Sequence, residues 1–212
     1  MEQQPPTAPI ESAHATALSS LPFEDTRDFA DADRGFVGRL TPCVVTAADG
    51  RVVWDNDSYG FLDGPAPTSV HPSLWRQSQL CAKQGLYEVV PDGIYQVRGL
   101  DLSNISFIEG DNGVIVIDPL VCTETAAAAL ALYRQHRGPR AVSAVIYTHS
   151  HVDHFGGVLG VTTVDDVAAG RVPILAPEGF LAHAVQENVY AGTAMARRAS
   201  YMYGAVLDRG PQ

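Results

Sequence analysis

Four side chains that can bind metal ions lie within six consecutive positions: His149, His151, Asp153 and His154. They are called the ligand cluster below. Because His149 and His151 are two residues apart, an extended backbone points them the same way and they can share one ion. Asp153 and His154 follow where the chain turns, so they can meet a second ion nearby. Three of the seven His of the chain fall in this segment, which argues against chance surface residues.

Imidazole and carboxylate ligands suit Zn²⁺, and they also suit Fe or Mn, so the residue types leave the identity of the metal open. A bound metal lowers the pKa of its water to about 7, which provides a nucleophile at neutral pH. Gly156 and Gly157 follow the cluster and permit a close backbone approach that a side chain would block. We therefore expect a hydrolytic metal site.

The elements around the cluster predict how it is positioned. An apolar run at 141–147, directly before the cluster, is typical of a buried strand. An Ala-rich helix is predicted upstream, from Thr123 to about residue 136, and Gly138 and Pro139 end it. Four strands precede that helix, at 87–90, 94–98, 104–108 and 113–118. This order predicts an α/β domain with the cluster at the carboxyl end of a strand, where such proteins place their chemistry.

Composition divides the chain into three parts. Residues 1–20 are rich in Pro, Ala, Ser and Thr, and we expect a disordered tail there. Residues 21–86 are expected to form an N-terminal arm, with a hairpin around Asp49-Gly50 and a helix at 73–83 whose N-cap is Ser73. The rest, 87–212, is expected to form the metal-binding domain.

Several polar residues outside the ligand cluster have candidate structural roles. Asp118 ends a buried strand, where it either braces the neighbouring loop or forms a turn before Pro119. His183 and Glu187 are four residues apart in a helix predicted for 178–203, with a break near Gly192, so they share a face and are interpreted as a surface pair. The adjacent arginines of that helix are interpreted as a solvated face.

Charge and cysteine content exclude several classes of partner and site. The formal net charge is −10, with 14 Lys and Arg against 24 Asp and Glu, which argues against nucleic-acid or membrane-surface binding. A local metal can still attract an anionic substrate. The three Cys are widely spaced and indicate neither a disulfide framework nor a Cys-rich metal site. No signal peptide or membrane span is visible, so we expect a cytoplasmic protein, or a secreted or periplasmic one if translation starts upstream.

The order His149-Ser150-His151-Val152-Asp153-His154, with Asp118 ending the preceding strand, resembles the signature of the metallo-β-lactamase superfamily. Several stretches are similar to the linear (type III) alkylsulfatases of that superfamily: 21–36, 93–119, 176–189 and 191–204. The resemblance implies an αββα sandwich with a binuclear metal site between its sheets.

By this resemblance, His149 and His151 bind one zinc ion, and Asp153 and His154 bind a second. The implied reaction is hydrolysis of a primary alkyl sulfate of the dodecyl sulfate type to an alcohol and sulfate. Apart from the metal-bound water, no catalytic group is assigned. A homodimer is the assembly that the resemblance implies for the full-length protein.

The chain departs from the family pattern in the number of metal ligands that it contains. Two ions need about six to eight ligand positions, and the family's remaining ligands lie downstream of the motif. We therefore expect an N-terminal fragment that carries half of the sandwich and is inactive or incomplete alone. Two alternatives stay open: another hydrolase of the superfamily (a lactonase, thioesterase or β-lactamase), and a non-catalytic metal-binding fragment. Residues 178–204 favour the alkylsulfatase.

Overall fold

The computed structural model describes residues 5–208 and residue 210 of the chain. Their contacts divide them into two compact units. The described residues of the first unit are 5–34, 56–83, 208 and 210, and those of the second unit are 35–55 and 84–207. The ligand cluster lies in the second unit.

Nine strands and seven α-helices make up the regular structure of the described residues. The strands are β1 (Phe36–Gly38), β2 (Val44–Thr46), β3 (Val52–Asp55), β4 (Gly85–Val90), β5 (Ile94–Arg98), β6 (Ile105–Gly110), β7 (Gly113–Ile117), β8 (Val142–Ile146) and β9 (Ile174–Leu175). The helices are α1 (Ala8–Ser20), α2 (Arg27–Asp33), α3 (Pro72–Cys81), α4 (Thr123–Arg137), α5 (Val164–Ala168), α6 (Phe180–Val185) and α7 (Gly192–Met202).

A seven-stranded mixed sheet is the framework of the second unit. Its spatial order is β1-β4-β5-β6-β7-β8-β9. Neighbouring strands are antiparallel as far as β7, and the pairs β7–β8 and β8–β9 are parallel. The predicted meander and the strand that precedes the ligand cluster are therefore confirmed. The hairpin predicted around Asp49-Gly50 is also present, as β2 paired with β3.

Helix α4 makes the crossover that a parallel β7–β8 pair requires. Its alanines favour the helix, and Gly138, at φ 87°, ends it as predicted. Cys122 occupies the N-cap position, so the helix begins at Thr123 itself. The inner side of α4 is buried, and the ring of its Tyr133 stacks on Phe107 of β6 with centroids 4.5 Å apart. This contact covers one face of the sheet.

The opposite face of the sheet is less covered. Along β5 and β6, buried residues alternate with half-buried ones: Tyr95 and Phe107 are buried, whereas Gln96 and Ser106 are partly exposed. Because side chains alternate between the faces of a strand, this pattern separates the α4 face from the other one. The described residues of the second unit thus include one helical layer and one large sheet of the predicted αββα sandwich.

The predicted helix at 178–203 is divided in three. It consists of α6, a π-helical turn at Gln186–Tyr190 and α7. The break predicted near Gly192 is confirmed, since α7 starts at that residue. The wider π turn before it follows no pattern visible in the sequence.

The first unit contains α1, α2, α3 and a 3₁₀ helix at Asp57–Asp63. Helix α1 occupies most of the segment for which composition predicts a disordered tail; its alanines favour a helix, although it buries none of its residues. Arg76 of α3 connects the elements, because its guanidinium donates to the Asp28 carboxylate (2.5 and 3.0 Å) and to the Phe23 carbonyl (3.2 Å).

The N-cap of α3 and the start of the metal-binding domain differ from the predicted positions. The N-cap of α3 is His71, not Ser73: the Nδ1 of His71 accepts the Ser73 N–H at 3.1 Å, because Pro72 takes the first helical position. The division predicted between residues 86 and 87 falls inside β4. Within the described part of the chain, the helices are too short or too polar for any of them to cross a bilayer.

Candidate metal centre

The ligand cluster lies in the loop that follows β8. Val152–His154 form a 3₁₀ turn, in which the His154 N–H donates to the His151 carbonyl at 3.0 Å. Of the two imidazoles before this turn, His151 has extended backbone, whereas His149 lies in a bend, so the uninterrupted extended segment expected for this pair is not observed. The cluster nevertheless sits at the carboxyl end of a parallel strand, as the sequence predicts.

The glycine pair after the cluster packs against the turn that follows β7. A Cβ atom built at Gly156 would overlap the carbonyl oxygen of Val121, and one at Gly157 would overlap those of Pro119 and Cys122. The Gly157 N–H donates to the Leu120 carbonyl at 2.9 Å. The predicted close backbone approach is confirmed, and it holds the cluster loop against the end of the neighbouring strand.

Asp118 joins the ends of the two strands. It has a positive φ of 54° and is buried. Its Oδ1 accepts the Thr148 N–H at 2.8 Å, and its Oδ2 accepts the Thr148 hydroxyl at 2.7 Å and faces His154 Nδ1 at 2.8 Å. Of the two interpretations of Asp118, this geometry favours a brace for the cluster loop.

Three residues come close enough to hold one ion. Asp118, His149 and His154 each place a ligand atom within 4.8 Å of the other two. The His149 ring lies 4.1 Å from the His154 ring and 4.6 Å from the His151 ring, centroid to centroid. Asp153 Oδ2 lies 3.4 Å from His154 Nε2. The four residues of the cluster are thus neighbours, although His151 and Asp153 stand outside the tightest group.

The hydrogen bonds of two imidazoles determine which nitrogen is available. His149 Nδ1 lies 2.9 Å from the Thr148 hydroxyl, and His154 Nδ1 faces Asp118. Nε2 of both rings is therefore the nitrogen left for an ion. A carboxylate or hydroxyl on the second nitrogen is the usual arrangement of metal-binding His. These nitrogen and oxygen donors fit a Zn²⁺-type ion.

Asp101 is a structural residue that sequence reasoning missed. Its carboxylate is buried and accepts the Val121 N–H (3.0 Å), the Thr125 hydroxyl (2.8 Å) and the Leu102 N–H (2.5 Å). Burial raises the pKa of Asp101, and these hydrogen bonds only partly oppose that effect. In the same loop, the Ser103 hydroxyl donates to the Asp153 carbonyl. The loop between β5 and β6 thus binds both the cluster loop and the turn that follows β7.

Aromatic packing fixes the start of the cluster loop. Tyr147 is buried between Phe155 and Phe180, at centroid distances of 5.9 and 5.3 Å. Burial raises the pKa of Tyr147 to about 12, so the phenol stays protonated at neutral pH. The three rings pack on one another on both sides of the cluster in sequence, which ties the start and the end of its loop together.

Glu187 contacts the cluster, which the sequence did not predict. Its Oε1 lies 3.1 Å from His151 Nε2, so its partner is His151 and not His183. His183 is exposed, and Arg197 and Arg198 are exposed as predicted for a solvated helix face. The i, i+4 spacing placed His183 and Glu187 on one face of an α-helix, whereas His183 lies in α6 and Glu187 in the π-helical turn, so the predicted surface pair is wrong.

Comparison with known proteins agrees with this geometry. The model of the metallo-beta-lactamase superfamily matches residues 98–210, which include the whole ligand cluster. A linear primary-alkylsulfatase of a Pseudomonas species is 53% identical over 206 residues, covering 96% of this chain and 30% of that protein. An alkyl/aryl-sulfatase of Saccharomyces cerevisiae is 49% identical over 208 residues, covering 98% of this chain and 32% of that protein.

A solved structure of an alkylsulfatase is also similar to this chain over nearly its whole length. The stereoselective inverting sec-alkylsulfatase Pisa1 from a Pseudomonas species superposes with a TM-score of 0.93 at 48% identity, over 99% of this chain and 33% of that one. The chain thus spans about a third of the length of the relatives that it matches. Since the family model matches more than half of the chain, at residues 98–210, the chain belongs to the metallo-beta-lactamase superfamily.

Proposed function

We propose that this chain supplies the metal-binding loop of an alkylsulfatase that hydrolyses primary alkyl sulfates of the dodecyl sulfate type. The observation that carries the proposal is the identity of about half of all residues with alkylsulfatases along nearly the whole chain. The cluster at the end of β8 adds the donor chemistry that such a reaction needs. A homodimer of the whole protein is part of the same proposal.

Two zinc ions are the proposed cofactors. His149 and His151 would hold one ion, and Asp153 and His154 would hold the other. This assignment rests on the spacing of the motif and on the contact within each pair: the His149 and His151 rings are 4.6 Å apart, and Asp153 Oδ2 lies 3.4 Å from His154 Nε2. Asp118 orients His154 through Nδ1, which would leave Nε2 for the ion.

The reaction converts an alkyl sulfate and water to an alcohol and hydrogen sulfate. When bound, the ions supply Lewis acidity that activates water and neutralises charge on the sulfate oxygens. The contribution of this chain is orientation: Thr148 and Asp118 hold two imidazoles at Nδ1, and the Gly156-Gly157 contact keeps the loop against the sheet. Fixed ligands need no rearrangement when charge develops.

The charge of the protein makes the local ions more important. The chain has a formal net charge of −10, which repels an anionic sulfate ester at long range. Bound cations are the largest local charges in such a site and reverse the local field. A chain that has lost the cluster should therefore lose the binding of sulfate esters together with turnover.

The decisive experiment measures sulfate release from dodecyl sulfate by the protein expressed from its complete reading frame. We expect release that stops when His149→Ala removes one ligand and continues in the control His183→Ala, which removes an exposed imidazole. Hydrolysis of a lactone, a thioester or a β-lactam in place of dodecyl sulfate would assign a different substrate within the superfamily. Metal content without any hydrolysis would instead support a non-catalytic metal-binding protein.

A further inference from the structure

The contact between Glu187 and His151 joins the cluster to the π-helical turn. Glu187 Oε1 lies 3.1 Å from His151 Nε2, while the side chains are 27% and 58% exposed. From Val185 to Tyr190, Glu187 is the one residue that is not exposed. It is therefore directed inward, toward the cluster, whereas its neighbours face away.

We propose that Glu187 is the positioning residue for His151. A carboxylate beside an imidazole accepts the N–H of the nearer nitrogen, which leaves the lone pair on the other nitrogen. The negative charge of Glu187 beside Nε2 therefore favours the proton on that nitrogen, which would leave Nδ1 of His151 for the ion. The inference rests on the metal site proposed above, but not on the identity of the substrate.

The other two imidazoles support this assignment. His149 and His154 are held at Nδ1, by Thr148 and Asp118, and present Nε2. His151 is held at Nε2 and presents Nδ1. Each ring thus has a polar partner beside one nitrogen, a hydrogen-bonding one for His149 and His154 and an ion-pair contact for His151, and each offers the other nitrogen. A partner on the second nitrogen is how proteins fix the tautomer and the direction of a metal-binding His.

The π turn explains why Glu187 reaches the cluster. In this turn the Ala191 N–H donates to the Gln186 carbonyl at 2.9 Å, a bond that spans five residues instead of four. The extra residue per turn changes the direction of side chains relative to the preceding α6. Single π turns inside helices occur frequently at functional sites. The turn carries the one carboxylate of its segment, and that carboxylate meets a cluster residue.

The first test determines the tautomer of His151 directly. Nitrogen chemical shifts of the ¹⁵N-labelled imidazoles, measured on the metal-free protein above pH 8, distinguish Nε2–H from Nδ1–H. We expect Nε2–H in the wild type and a mixture of tautomers in Glu187→Ala. Glu187→Gln, whose amide oxygen can also accept the Nε2–H, should restore the wild-type spectrum in part. An Nδ1–H tautomer in the wild type, or a spectrum unchanged in Glu187→Ala, overturns the proposal.

The second test measures zinc affinity by competition with a chromophoric chelator. We expect Glu187→Ala to bind zinc roughly tenfold to a hundredfold more weakly, the usual result of removing such a partner. Glu178→Ala is the matched control, because it removes the same charge from an exposed position close by. Equal affinities of the two variants overturn the proposal, and circular dichroism excludes unfolding as the cause of a loss. Failure of the wild type to release sulfate rejects the substrate but changes neither result.

Discussion

The two sides of the ligand cluster are built differently. On the inner side, Asp118 is 7% exposed and engages Thr148 twice and His154 once, with atoms 2.7 to 2.8 Å apart. On the outer side, the Glu187 side chain is 27% exposed and makes one contact of 3.1 Å to a half-exposed imidazole. Both sides place a carboxylate behind a His, but only the inner one is buried.

This difference separates stability from ligand orientation. A buried carboxylate whose partners are lost leaves polar groups without hydrogen bonds, which costs free energy of folding. A partly exposed carboxylate can exchange its partner for water at little cost. We therefore expect changes on the inner side to affect both the folded state and metal binding, and changes on the outer side to affect metal binding alone.

The largest loss in the free energy of unfolding is expected on substitution of Gly157. In Gly157→Val the new side chain would collide with the carbonyl oxygens of Pro119 and Cys122, which belong to the backbone and cannot move aside. Overpacking of this kind lowers the free energy of unfolding by about 3 kcal/mol. Urea unfolding followed by circular dichroism measures the change.

Gly192→Val serves as the control for Gly157→Val, because a Cβ atom at Gly192 would meet no atom within 4 Å. It should change the free energy of unfolding much less. A similar loss in the two variants would show that the tight contact beneath the cluster does not stabilise the loop.

The second largest loss of stability, together with a loss of zinc affinity, is expected on substitution of Asp118. In Asp118→Asn the amide NH₂ replaces an accepting oxygen near His154 Nδ1, so the imidazole must accept there and carry its proton on Nε2. That nitrogen can then no longer bind an ion. We expect zinc affinity to fall roughly a hundredfold and the free energy of unfolding to fall by about 2 kcal/mol. Chelator competition and urea unfolding measure the two quantities.

The control for Asp118→Asn is Asp165→Asn, which makes the same chemical change at an exposed carboxylate. It should leave both quantities unchanged. Zinc binding of Asp118→Asn at the wild-type level would mean that the inner carboxylate does not select the tautomer of His154.

At Asp101 we expect a smaller effect on the free energy of unfolding, which takes the form of a change in its pH dependence. Burial raises its pKa in the folded protein above the unfolded value, so the folded state binds the proton more tightly. Stability from this group is therefore greatest at low pH and is lost as pH rises through the raised pKa, by about 1.4 kcal/mol for each pH unit that separates the folded pKa from the unfolded one. Asp101→Asn should lack this loss. Urea unfolding of both proteins between pH 3.5 and 7.5 gives the comparison, and parallel curves would contradict it.

The inner side of the site was largely predictable from sequence. The cluster, the preceding strand and helix α4 are local features, because strand periodicity, alanine content and the terminating Gly138 act over a few residues. The candidate role of Asp118 followed from its place at a strand end. The glycine pair also indicated a close approach, although not the residues approached.

The supporting residues beyond the motif were not predictable in the same way. Asp101 and Ser103 lie in a loop that carries no recognisable motif, and their partners are distant along the chain. Glu187 depends on a π turn, and the i, i+4 rule for α-helices assigns it to His183 instead. In each case tertiary packing, and not local propensity, selects the partner.

The smallest effect on folding is expected at Glu187, and it tests the comparison most directly. Glu187→Ala removes a single contact to an imidazole that is 58% exposed, so water can replace the carboxylate. Exposed ion pairs contribute about 0 to 1 kcal/mol, and we expect a change below about 0.5 kcal/mol in the free energy of unfolding. Urea unfolding beside Asp118→Asn measures it. Since the same substitution is expected to weaken zinc binding, a loss of stability as large as that of Asp118→Asn would show that the outer carboxylate also holds the fold, and that the two sides do not differ in kind.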